Sequence, residues 1–435
     1  MAGDVSNARI AAIFAAFLVT PAGAAEPDGA AVVRAGLAAA CAVPAGGQAE
    51  LTRRFAGARV LEQRVTPFRG QPGRARYVLL LEDGSELRIT SMFPLGRLRR
   101  VTAEWHAHAG GERTRPELAA TAGGDCRVRE GRRLVYGADG KPERLAVLAP
   151  DLAETLSEEA LNPAIPAGTD PGGVAVAVVD TGVNYTLDAV ARRLARGADG
   201  GLVGYDFWDG DARPFDVDTG RSPFFPLHHG TAVTSIILRE APAARIIPYR
   251  FPRPEMTKMA ELVEHADASG VVIVNMAMGS NRRADWQAFE AAARARPHML
   301  FIVSAGNNGR DIDTRPVYPA ALGLENILVV TSADAFGRLA RGSNWGREHV
   351  DVMVPGEQVA VLDHRGVEGQ ASGSSFAVPR VAALAARFLA KHPAWRAPEL
   401  KRAILSRAKA SPRQPNLPLK HGWIPDPTDD FLPPQ

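Results

Sequence analysis

The chain has 435 residues, 46% of them hydrophobic and 23% charged, an ordinary globular balance with room for two or three domains and a sizeable core. Its formal charge of +3 is small for this length, and no dense Lys/Arg run is interleaved with aromatic residues, which argues against nucleic acid as a partner. Beyond the first 25 residues no stretch is apolar enough to span a bilayer, so no stable membrane span is expected.

Arg9 precedes the apolar run Ile10 to Val19, and Thr20-Pro21-Ala22-Gly23-Ala24-Ala25 places small residues at a cleavage-type spacing. Residues 1–25 therefore read as a secretory signal peptide, and the protein as exported, either periplasmic or secreted. The competing reading is a short buried helix or membrane anchor, but a span needs about 20 apolar residues. The only cysteines, Cys41 and Cys126, follow this segment. In an exported chain they can pair or remain separate thiols, and neither sits in a CxxC or nucleophile context.

Residues 26–150 are Arg-rich and patterned as short strands at 76–81, 86–90, 99–104 and 133–147, the last a hairpin turning on Gly137-Ala138-Asp139-Gly140. They form a smaller, β-rich α+β N-terminal domain, read as a prodomain or accessory domain. Their 20 basic and 14 acidic residues give a net of +6, leaving about −3 for the rest, so a cis contact between the N-terminal and following domains is expected. The Pro- and Gly-bearing residues 151–173 read as a linker.

Over residues 174–410 continuous apolar strands alternate with amphipathic helices. The strands fall at 174–179, 245–248, 271–276, 300–304 and 327–331, and the helices at 231–238, 257–268, 285–295, 376–390 and 398–408. That alternation predicts an α/β fold, a doubly wound, mostly parallel sheet with helices on both faces and its sites at the carboxyl ends of the strands. Residues 411–435 read as a Pro-rich irregular tail.

The chemistry-bearing motifs fall at those strand ends. Asp180 closes the first strand before Thr181-Gly182, where a carboxylate can orient a base. His229, in His228-His229-Gly230-Thr231, opens a helix as a candidate general base; the doublet also raises a metal ligand, but no second ligand cluster in the sequence supports zinc. Asn307, in Ala305-Gly306-Asn307-Asn308-Gly309, offers an amide N–H to a developing oxyanion, although Asn-Gly is also ordinary turn chemistry. Ser375, in Gly373-Ser374-Ser375-Phe376-Ala377-Val378-Pro379, stands at a helix start, where free N–H groups and the macrodipole favour negative charge, and where serine also serves as a plain cap.

Taken together, Asp-Thr-Gly, His-Gly-Thr and Gly-Ser-Ser-Phe-Ala-Val-Pro in this order resemble the motifs of the subtilisin-like serine proteases, over roughly residues 170–410. Gly204-Tyr205-Asp206-Phe207, Asn275-Met276-Ala277-Met278-Gly279, Tyr318-Pro319-Ala320 and the segment Asp351 to Gly356 extend the match. Ser374, Phe376 and Ala232 depart from it, standing where Thr, Met and a second His are usual.

The resemblance implies a serine endopeptidase acting on polypeptide substrates through an acyl-enzyme, with Ser375 as nucleophile, His229 as base, Asp180 orienting it and Asn307 in the oxyanion hole. It implies substrate pairing along Ala277, Met278 and Gly279. No cofactor is required for that chemistry. Calcium, common in the family, has candidate ligands in Asp206, Asp209, Asp211, Asp216 and Asp218, without a recognisable oxygen-ligand spacing. Two alternatives stand beside this reading, a catalytically silent peptide-binding relative and a serine esterase. The esterase elbow Gly-x-Ser-x-Gly places His last, whereas here Ser is last and Ala377 takes the final elbow position.

Overall fold

A computed structural model describes residues 28–42 and 53–430, so the signal-peptide segment lies outside the described residues. The chain divides into two compact units, one holding residues up to Gly131 together with Ala149–Ala153, the other Arg132–Leu148 and everything from Glu154 onward.

In the first unit helix α1 (Gly29–Ala42) is followed by strands β1 (Arg59–Phe68), β2 (Gln71–Leu80), β3 (Glu86–Met92), β4 (Arg100–His108) and β5 (Thr114–Gly123). Each strand pairs antiparallel with the next. Period-2 alternation buries Leu87, Ile89, Val101 and Ala103, against which α1 lays Val33 and Leu37. Cys41 at the end of α1 is bonded to Cys126, 85 residues on, with a Cα–Cα distance of 5.9 Å. The strands expected at 76–81, 86–90 and 99–104 are β2, β3 and β4; α1, β1 and β5 lie outside the expected set.

In the second unit the expected hairpin is present as the end of β6 (Val128–Tyr136) and β7 (Pro142–Leu148), its turn closed by Gly137 N donating to the Lys141 carbonyl at 2.9 Å. Residues 151–173 are not wholly a linker, since β8 (Thr155–Ala160) pairs antiparallel with β7. Its Thr-Leu-Ser-Glu-Glu-Ala sequence is almost entirely exposed and carries no apolar alternation to announce a strand.

The main sheet runs in the order β10 (Tyr205–Asp206), β11 (Ala244–Arg250), β9 (Val174–Asp180), β12 (Ile273–Met276), β13 (Leu300–Ser304), β14 (Ile327–Ala333), β15 (Val352–Pro355) and β18 (Gly422–Trp423). Every pairing in it is parallel. Alternate residues serve opposite faces. Val176, Val178, Ile246, Ile302 and Val330 pack under α3 (Gly230–Glu240), α6 (Ser374–Lys391) and α7 (Ala397–Leu405). Ala177, Val179, Ile247, Phe301 and Val329 pack under α4 (Met259–Ala268) and α5 (Gln287–Arg294). This is the doubly wound α/β sheet expected, both faces covered, which is why its strands read as unbroken apolar runs. A short helix, α2 (Asp188–Ala191), and the hairpin β16 (Val359–Leu362) with β17 (Glu368–Ala371) complete the unit.

The C-terminal segment differs from the irregular tail expected of it. Residues Gly422–Trp423 add β18 to the sheet beside β15, and Trp423 and Ile424 are buried. A two-residue strand between prolines shows no periodicity by which it could be read.

Candidate active site

The candidate residues meet at the carboxyl edge of the main sheet. Asp180 is the last residue of β9, His229 is the N-cap of α3, Asn307 follows β13, Ser375 is the second residue of α6, and Ala277 to Gly279 continue from β12. Two glycines permit the close approach of the Asp and His loops. Gly182 has φ of +95°, and a Cβ built on Gly230 would lie 2.0 Å from the Gly182 carbonyl oxygen.

His229 Nδ1 lies 2.7 Å from Asp180 Oδ1, which also accepts the Thr181 backbone N–H at 2.8 Å. The carboxylate can only accept, so Nδ1 carries the proton and Nε2 bears the lone pair. Asp180 is 3% exposed, whereas the His229 side chain is 31% exposed. Burial works to lower the His229 pKa, but the Asp180 charge, its hydrogen bond and the more distant Asp216 charge outweigh it and hold the imidazole above its ordinary value.

Ser375 Oγ donates to the Ala277 carbonyl at 3.2 Å. The structure thus brings His229 to Asp180, and the Ser375 hydroxyl to the segment expected to bind substrate. Catalytic hydrogen bonds are often formed only when substrate is bound. Pro379, inside α6, removes the N–H that would otherwise bond the Ser375 carbonyl.

Asn307 is exposed, and its Oδ1 accepts both the Ser374 backbone N–H and the Ser374 hydroxyl, each at 3.0 Å. With Oδ1 engaged, Nδ2 is the donor the amide has left to offer. Ser374 Oγ also lies 2.7 Å from Ser304 Oγ. In sequence Ser374 is only a departure from the usual threonine; its role in fixing the Asn307 amide is invisible without the fold. Phe376, the second departure, sets its ring 5.5 Å from the His229 imidazole, centroid to centroid.

Of the substrate-binding candidates, Ala277 is buried and Met278 packs against the core on the α4/α5 face of the sheet. Gly279 cannot carry a side chain without crowding the Tyr318 carbonyl, which a Cβ there would approach to 2.8 Å. Ser280 and Tyr318 exchange backbone hydrogen bonds of 2.9 and 2.8 Å, which fixes the end of this extended segment.

The aspartates raised as calcium ligands do not gather into an oxygen cage. Asp206 and Asp209 share the Arg250 guanidinium, and Asp211 lies 3.5 Å from Lys141 and 3.6 Å from Arg213. Asp218 Oδ1 accepts from Gly220 N at 2.8 Å, and the Asp216 carboxylate faces the threonines and the His229 backbone. The chain's own cations hold three of the five.

The fold is a doubly wound α/β domain with a carboxylate, an imidazole, a helix-start serine and an exposed amide at one edge of its sheet. The Subtilase family model matches residues 172–423, and the chain belongs to that family. It is 29% identical over 228 residues to the thermophilic serine proteinase of Bacillus sp. strain AK1, a match covering 49% of this chain and 51% of that protein. It is 26% identical over 244 residues to the halolysin-like extracellular serine protease Nep of Natrialba magadii, covering 52% of this chain and 42% of that one. A solved cold adapted subtilisin-like serine proteinase superposes with a TM-score of 0.48 at 24% identity, covering 60% of this chain and 90% of that chain. The chain thus spans about half, or less, of the length of these curated relatives.

Proposed function

We propose that the protein is an exported serine endopeptidase that hydrolyses peptide bonds through an acyl-enzyme. The observation that carries this reading is the 2.7 Å contact between His229 Nδ1 and Asp180 Oδ1 at the sheet edge where Ser375 and Asn307 also stand.

In this reading Ser375 Oγ leaves the Ala277 carbonyl and donates instead to His229 Nε2. Oγ attacks the scissile carbonyl carbon as Nε2 takes its proton, and the carbonyl electrons move to the oxygen. Asn307 Nδ2 and the Ser375 backbone N–H at the start of α6 donate to that oxyanion. Collapse expels the amine, which takes the proton from the imidazolium and leaves an ester on Ser375. Water, deprotonated by the same imidazole, then releases the acid and restores the serine. Asp180 holds the imidazole in the required tautomer and stabilises its cation.

Export is supported by the residue 1–25 pattern, by the Cys41–Cys126 disulfide and by extracellular relatives. Because only neutral His229 accepts a proton, activity falls as pH drops through its pKa. That pKa is raised, so the acid limb of kcat/KM is expected above the ordinary histidine value of about 6.5. A proteome-derived peptide library digested by the purified protein should show new internal termini that are lost with Ser375→Ala. An identical cleavage pattern from the two proteins would refute the reading.

A further inference from the structure

A second carboxylate lies beneath the candidate histidine. Asp216 is completely buried, and four donors converge on it. Its Oδ1 accepts from Thr181 Oγ1 at 2.5 Å and from the His229 backbone N–H at 3.0 Å. Its Oδ2 accepts from the Thr231 backbone N–H at 2.9 Å and from the Thr231 hydroxyl. Thr181, which follows Asp180, in turn accepts at Oγ1 from Gly230 N at 2.9 Å and gives its own N–H to Asp180. His229 is therefore held at two places, the ring by Asp180 and the backbone N–H by Asp216 and, at 3.1 Å, by Thr181 Oγ1, and Thr181 joins the two carboxylates.

Asp216 also groups with His228 and His364, one ligand-type atom of each lying within 4.8 Å of the others, an arrangement that suggests a metal ion. Two observations decide against it. A carboxylate has about four lone-pair sites, and the four donors fill them. The His228 and His364 rings are stacked, 3.7 Å between centroids and 12° from parallel, so an ion in the plane of one ring lies well out of the plane of the other. His228 Nδ1 lies 2.6 Å from the Asp216 backbone carbonyl and donates to it, which ties the ring pair to Asp216.

We infer that Asp216 is a positioning residue of the hydrolytic reaction, fixing the His229 backbone and the start of α3 against the Asp180 loop so that the imidazole meets both Asp180 and Ser375. The inference rests on the serine-peptidase reading of the site. The charged and titratable groups about Asp216 are Asp180 and His229, joined to it through Thr181, His364, whose Nδ1 is 3.8 Å away, and His228, itself within the field of Glu159. The Asp216 charge is one of the contributions that raise the His229 pKa.

The test compares wild type, Asp216→Asn and Thr181→Val for kcat, KM, the pH profile of kcat/KM and the rate of labelling by a serine-directed fluorophosphonate. Asp216→Asn keeps the shape but removes the charge and turns one acceptor into a donor facing donors. It is expected to lower kcat and the labelling rate by about 10- to 100-fold, the size expected when hydrogen bonds to a charged group are lost, and to leave KM within about 2-fold. The acid limb should move to lower pH, since the imidazolium loses a stabilising charge; a purely structural role would not produce that shift. If Asp216→Asn does not fold, Thr181→Val decides, because it cuts the link between the two carboxylates and should also lower kcat. A folded Asp216→Asn with unchanged kcat and acid limb, or a Thr181→Val equal to wild type, overturns the inference. Wild type that takes no label instead overturns the peptidase reading, and the inference with it.

Discussion

Ser374 and Asn307 show how a neighbour can decide what a candidate site side chain offers. The two Ser374 donors occupy Asn307 Oδ1, so the amide is turned with Nδ2 as its available donor. Asn307→Ala is expected to lower kcat by about 10²- to 10³-fold with little change in KM, the size of the equivalent loss in subtilisin. Ser374→Ala removes one of two orienting bonds, worth about 1 kcal/mol, and should lower kcat only several-fold. Steady-state kinetics of both variants check this; a Ser374→Ala loss as large as that of Asn307→Ala would contradict it. Asp180, His229, Asn307 and Ser375 are legible in the sequence because each sits beside glycines and small residues that a strand end or helix start requires. Asp216 is not, because its role depends on Thr181 and Thr231, 35 and 15 residues away, meeting it in space. In sequence it is one of five acidic residues in a loop, and nothing there separates it from the four that face cations or solvent.

At the level of elements, the strands and helices of the main sheet fall close to where the apolar pattern places them, since buried parallel strands carry an unmistakable apolar run. The pieces of this sheet that escape, β10, β15 and β18, are two to four residues long, as are β16 and β17, and β8 is exposed. β18 nevertheless anchors the C-terminal segment. Ile424 is fully buried in the core with α6 and α7, and its backbone N–H donates to Met353 in β15 at 3.0 Å. Nearby, the Arg387 guanidinium donates to the Glu240 carbonyl at 2.7 Å and pairs with Asp430 at 2.8 Å. Ile424→Ala should therefore destabilise the protein by about 2 to 5 kcal/mol, as expected for truncating a buried isoleucine. Denaturant unfolding measures this; a midpoint equal to that of wild type would show that the segment is not part of the core.

Across the whole molecule, two units carry two kinds of stabilisation. The first is a small meander under one helix, where the Cys41–Cys126 bond closes a loop of 85 residues and contributes on the order of 4 to 5 kcal/mol in the chain-entropy description. The second buries both faces of an eight-stranded sheet and presents the candidate residues along one edge. Among the described residues no helix is long and apolar enough to cross a membrane. The proposed chemistry turns on a single atom, Ser375 Oγ. Incubation with a fluorophosphonate followed by intact-mass and peptide mapping should show one adduct per chain, on Ser375, formed at a rate that follows the neutral fraction of His229. No adduct on wild type, or an equal adduct on Ser375→Ala, would contradict the account.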